Sequence, residues 1–214
     1  MKQRPDNSTR TLNDDVLVKL IQTFSEDGGE EGQKAFDQLR SLPRVELISD
    51  LSRLRRSLPA TDPLQPQIAF VFCYLDEDYK SNAHLVASAL SKDPKYQNFY
   101  GDQAASLVAR LVKSGDKSLL LSLFGAVRWA DGALAEELGA SFADELKNNA
   151  QAFVEMLTDQ PSEVRLKVYE LIDRNDSLTS EESKLIEATL RKMNRQSKSS
   201  RVVHEILTSA VLEQ

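Results

Sequence analysis

Apolar residues recur at three- and four-residue spacing in nearly every segment of this chain, and that period limits its fold more than any other feature. The pattern is densest from Leu119 to Leu146. Leu119, Leu120, Leu123, Phe124 and Val127 mark one helical stripe, and Leu134, Leu138, Phe142 and Leu146 mark a second, with a turn from Ala130 to Gly132 between them. The spacing predicts a buried helical hairpin around which the rest of the chain packs. Ala135, Gly139, Ala140 and Ala143 on the second helix would let a neighbouring helix approach closely, and the only tryptophan, Trp129, sits at the corner.

The same reading extends in both directions. Residues 1–12 contain nothing able to anchor a core and read as a disordered leader, and residues 13–214 read as a single helical domain with a subdomain break near residue 60. Asn13 is placed as an N-cap, followed by Asp14 and Asp15 in the first turn and by Val16, Leu17, Leu20, Ile21 and Phe24 on one face. Ala35, Phe36, Leu39 and Leu42 predict a short second helix, and Leu47, Ile48, Leu51, Leu54 and Leu58 a third that starts at Pro43. The break near residue 60 is the proline-dense loop PATDPLQP.

One segment is ambiguous by composition. Ile68 to Leu75, IAFVFCYL, is apolar throughout and rich in aromatic and β-branched residues, which would suit a buried strand. No comparable segment exists to pair with it, and an unpaired strand in a core leaves its backbone groups unsatisfied. A helix buried on most sides is therefore expected. Later helices are predicted around Leu85–Leu90, Leu107–Val112 with Gly115 as terminator, Phe153–Leu157, Val164–Ile172, Leu185–Met193 and Val202–Val211; Thr179 and Glu182 have capping-box spacing before the Leu185 segment. About eleven or twelve helices with short connections favour antiparallel neighbours in a stacked layer.

Residues 159–172, DQPSEVRLKVYELI, resemble the first helix of a HEAT repeat, in which a proline-containing turn precedes a Val-Arg pair and spaced apolar positions; here these are Pro161, Val164, Arg165, Val168, Leu171 and Ile172. LPRVELISDL, with Pro43, Val45 and Ile48, is a fainter echo, and no fixed period runs through the chain. The resemblance implies an all-α, irregular α-α superhelix of antiparallel helix pairs, HEAT/armadillo-like, that binds other macromolecules. It implies no catalytic residues.

Charge and composition narrow the function classes. The formal net charge is −6 and the isoelectric point near 5.1, which opposes generic affinity for phosphate backbones. A single cysteine, Cys73, excludes an intramolecular disulfide framework and a multi-cysteine zinc site, and it fits a reducing compartment, with the cytoplasm as the default. The N-terminal residues carry no apolar signal-like segment, and a signal peptide removed ahead of them would leave no trace. No run approaches the length of a membrane span.

No nucleophile elbow, Walker loop or dinucleotide fingerprint is present, so no catalytic residue and no cofactor is assigned. Asp173 to Lys184 superficially matches a calcium loop, but its sixth position, which needs glycine, is Leu178, and its twelfth, which needs a carboxylate, is Lys184. Cys73, Asp76, Glu77, Asp78 and His84 are dense in ligating atoms, yet Cys73 lies inside the apolar run and the acids read as a solvated helix end. No metal is assigned.

Two groups carry the partner-binding expectation. Arg128, Trp129 and Asp131 at the hairpin corner combine residue types common at interaction hot spots, and Tyr96, Phe99 and Tyr100 form an aromatic loop; local packing is the competing explanation for both. The function so read is a protein-interaction module or scaffold for an unknown protein partner, binding through a groove lined by alternate helices. The alternative is nucleic-acid binding through Arg53, Arg55 and Arg56 and through Arg191, Lys192 and Arg195, since HEAT-like DNA-repair enzymes exist.

Overall fold

The computed structural model describes residues 13–26, 29–92, 101–174, 178–193 and 199–209. Among these the chain forms eleven α-helices and no strand. They are α1 (Asp14–Glu26), α2 (Glu30–Ser41), α3 (Arg44–Ser57), α4 (Leu64–Tyr74), α5 (Tyr79–Lys92), α6 (Gly101–Lys113), α7 (Leu120–Ala126), α8 (Gly132–Thr158), α9 (Ser162–Asp173), α10 (Ser180–Met193) and α11 (Ser200–Leu207), with a 3-10 turn at Lys117–Leu119 before α7. The backbone divides into two compact units, residues 1–85 and 86–214, and the proline-dense loop near residue 60 lies inside the first.

In the first unit α1 starts as its sequence implies, with the Asn13 side-chain oxygen accepting the Asp15 N–H at 3.1 Å. Residues Ile68 to Cys73 of the ambiguous run are helical and buried on every side of α4. Their neighbours are α1 and α3, and an aromatic cluster forms the centre. Phe24 stacks on Phe36 at 4.7 Å and on Phe70 at 5.5 Å, while Tyr74 meets Phe36 and Phe70 edge-on at 4.7 and 5.1 Å. Beyond α4 the chain turns through two aspartates with left-handed backbone, Asp76 (φ 53) and Asp78 (φ 39). Buried Asn82 secures that turn by donating to the carbonyls of Glu77 and Asp78 at 2.8 and 3.1 Å, and it accepts from Arg55 at 2.6 Å. Val45, in the fainter repeat-like segment, is 80% exposed.

The second unit is organised on α8, which borders α6, α7, α9, α10 and α11. All nine apolar residues of the 119–146 stripes are buried. The pairing differs from the expected hairpin, however: α7 has only seven residues, and the most extensive neighbour of α8 is α6. Phe153, Met156 and Leu157 do lie on a helical segment of their own: within Gly132–Thr158 the backbone leaves helical geometry at Asn149 (φ −142, ψ 42), so α8 is two helical segments joined at a kink. Beside the kink the Asn148 side chain donates to the Asp144 carbonyl at 2.8 Å and the Asn149 amide to Glu145 at 3.1 Å, local bonds of the kind that compete with the helical ladder. Extending α8 brings Phe153 onto Phe124 and Phe142, at 5.5 and 6.1 Å between ring centres. Leu185, read as a core residue of α10, is 63% exposed, and Ile186 and Leu190 fill that role.

Hydrogen bonds and ion pairs fix the direction of α6 on α8. Ser106 meets Glu137 and Lys113 meets Asp144, a constant offset of 31 residues, so the two helices run in the same sense with α7 as the return element. The capping box before α10 is formed: the Thr179 N–H donates to Glu182 at 2.8 Å and the Glu182 N–H to the Thr179 hydroxyl at 3.3 Å. Glu182 also accepts from Lys147 of α8 at 2.9 Å. Between α9 and α11, buried Arg165 holds Glu205 through two bonds of 2.8 and 3.0 Å, and Arg201 and the Tyr169 hydroxyl donate to the same carboxylate. Arg165 foremost, with the other two donors, holds Glu205 down at a pKa of about 2.

Two outcomes are expected. A β-carbon on Gly125 would stand 2.8 Å from the Ser91 β-carbon, too close for either helix to keep its place, so Gly125→Ala is expected to cost about 1–3 kcal/mol in urea denaturation. Because the folded-state pKa of Glu205 lies below its ordinary 4.5, the stability it confers is complete above that value and lost as pH falls toward 2. The urea midpoint is expected to decline through that window, with a shallower decline in Glu205→Gln.

Candidate interaction groove

Between α6 and α8 the second unit opens into a groove of about 590 Å³. Same-sense packing creates it: side chains from alternate helices form its walls, while Val112 and Leu123 form part of its apolar lining. Arg110 and Lys113 come from α6. Glu137, Asp144 and the small residues Ala140 and Ser141 come from α8, and Asn148 and Asn149 lie where α8 kinks. The groove thus has a basic wall facing an acidic one, bridged at one point by Lys113 and Asp144 at 2.9 Å.

At the kinked end sits Glu145, only 5% exposed. Lys117 donates to both its oxygens, at 2.9 and 2.7 Å, and to the Val112 carbonyl at 2.9 Å, while the Asn149 amide adds a bond of 3.1 Å. These contacts neutralise the buried charge. At the other end, burial pushes the Glu137 carboxyl above the usual carboxylate range and neighbouring Asp102 adds to the rise, against a hydrogen bond with Ser106. Two acids on one helix therefore have opposite roles: Glu145 is locked into the scaffold, and Glu137 faces the groove incompletely solvated.

Arg128, Trp129 and Asp131 all lie exposed on the turn between α7 and α8, with Trp129 at 44% exposure, and the partially exposed Leu121 is on α7. Tyr96, Phe99, Tyr100 and Arg195 lie outside the described residues. In the first unit Arg53 is occupied by Asp14, at 2.5 and 2.7 Å, and by Asp50 at 3.0 Å; Arg55 bonds Asn82 and covers the Phe72 ring at 5.8 Å, and Arg56 is exposed. In the second, Arg191 is held by Glu187 at 2.8 and 2.5 Å, with Lys192 exposed beside it. A phosphate at Arg53 or Arg191 would have to displace a carboxylate already in place.

Among the described residues no three His, Cys, Asp or Glu side chains gather closely enough to hold a metal ion, and no helix is long and apolar enough to cross a membrane. Cys73 is buried, with its sulfur 3.9 Å from the Tyr79 carbonyl. No protein-family profile, curated protein or solved structure matches the chain.

The sequence predicts a groove lined by alternate helices without assigning residues to it, although the acidic wall has a signature: Glu137, Ser141, Asp144 and Asn148 recur at helical spacing along α8. Such a stripe reads as a solvated face until α6 is laid beside it. Since the folded-state pKa of Glu137 is raised, its ionisation opposes folding above the ordinary value of 4.5. Glu137→Gln is therefore expected to raise the thermal midpoint slightly at neutral pH, with the difference vanishing below that value, as read by calorimetry across pH.

Proposed function

We infer that the protein is an interaction module of the HEAT-like α-α superhelical kind, and that the groove between α6 and α8 receives a segment of a partner protein. Its mixed-charge walls carry this reading. Opposed cationic and anionic side chains over apolar lining suit a polypeptide with side chains of both signs, whereas the acidic α8 wall repels phosphate. The superhelical reading is supported by neighbours two apart in the chain: α8 borders α6 and α10, and α9 borders α7. The exposed Arg128, Trp129 and Asp131 extend the contact surface at the α7–α8 turn.

Affinity capture separates this function from nucleic-acid binding. Full-length chain and an Ala140→Arg variant, whose new side chain fills the groove from its open wall, are each used to capture proteins from a cell lysate and to titrate single- and double-stranded oligonucleotides at low and high salt. The expected result is a protein captured by the natural chain and lost from the variant, with no tight oligonucleotide complex. Salt-sensitive oligonucleotide binding that survives Ala140→Arg and falls on replacing Arg55, Arg56 and Lys192 would establish the nucleic-acid alternative.

A further inference from the structure

The first unit has a groove of its own, of about 410 Å³, where the end of α2, the start of α3 and the end of α4 converge. That volume lies within the range of about 300–1,000 Å³ usual for ligand pockets. Its lining is apolar: Phe36, Leu39, Leu47 and Val71 are buried, and Leu42, Leu75 and the 41% exposed Tyr74 complete it. Two exposed arginines, Arg40 and Arg44, are its only charged lining residues. The aromatic residues cannot retreat further, since the rings of Phe36 and Tyr74 are packed into the cluster with Phe24 and Phe70.

The charge of this groove sets it apart from a chain whose net charge is −6. Arg40 lies over the Phe36 ring at 5.6 Å, and no carboxylate among the described residues pairs with it. Arg44 reaches Glu77 only at 4.0 Å, across a contact in which both side chains are about half exposed, an arrangement of little energetic weight. Helix α3 also begins at Arg44, with Pro43 at its N-cap and no side-chain cap, so the positive end of its dipole lies at the same place, offset in part by Glu46 in its first turn. Apolar walls call for an apolar side chain, and Arg40 without a carboxylate partner, Arg44 held only loosely by Glu77 and a helix N-terminus call for a carboxylate beside it. Tyrosine and arginine over buried apolar residues are also the composition of protein-binding hot spots.

We propose that this groove binds a partner-protein segment in which a leucine or aromatic side chain enters the apolar recess while an aspartate or glutamate within one helical turn pairs with Arg40 and Arg44. The site lies wholly within the first unit and does not depend on the function inferred for the α6–α8 groove. A displayed library of random short peptides selected on the immobilised full chain provides the probe. Selected sequences are expected to share an apolar anchor with a nearby acid, and the best of them, synthesised and labelled, to bind saturably in fluorescence polarisation. Affinity should fall at least about tenfold in the Arg40→Gln/Arg44→Gln double variant, a loss typical of charge-assisted bonds. It should fall again in Tyr74→Ala and remain unchanged in Ala140→Arg, with matched thermal unfolding showing that the variants are folded. Selected peptides without acidic residues, or binding indifferent to the double variant, would overturn the proposal. So would concentration-dependent self-association abolished by the same variant, which would make a second copy the occupant, or displacement of the peptide by dodecanoate at equal affinity, which would make the groove a site for amphiphilic acids.

Discussion

The buried charge of Glu145 links three elements of the second unit. An unpaired carboxylate at that depth would cost several kcal/mol, so the chain must deliver a cation to it. Lys117 does so from the 3-10 turn between α6 and α7, and the same ammonium also satisfies the Val112 carbonyl at the end of α6. The Asn149 amide completes the carboxylate's shell from the kink of α8. One ion pair therefore ties together the exit of α6, the approach to α7 and the bend of α8. It lies at one end of the groove between α6 and α8.

The first unit solves a different problem. Its central helix α4 is apolar on all sides and gives no directional preference, so the aromatic cluster and the polar contacts around it set the arrangement. Asn82 is decisive there, because it both holds the two left-handed aspartate positions and receives Arg55 from α3. An arginine that looked available to a phosphate is thereby committed to the scaffold. Arg40 and Arg44, unremarked in the sequence, are the cations left facing an apolar recess.

The helices were legible where the apolar period is unbroken. Leu119 through Leu146 shows this best, since every predicted core position there is buried. The separate apolar run of Phe153, Met156 and Leu157 was legible as well, since the backbone breaks at Asn149 just before it, flanked by the side-chain bonds of Asn148 to the Asp144 carbonyl and of Asn149 to Glu145. Legibility failed at Leu185, which is apolar and at helical spacing but 63% exposed. Periodicity reports which residues can share a face, not which face is covered.

Residue spacing and capping chemistry are enough to establish the all-helical class, the order of the elements, the capping box at Thr179 and the helix end at Gly115, because these depend on interactions within a few residues. The partner of each helix required the folded chain. That α8 lies along α6 rather than chiefly on α7, that Arg53 is paired by Asp14, and that Glu137 and the Arg40–Arg44 pair border grooves all arise between residues distant in sequence or from the burial that tertiary packing creates. Such contacts are selected by packing and charge compensation across the unit, and no local pattern encodes them.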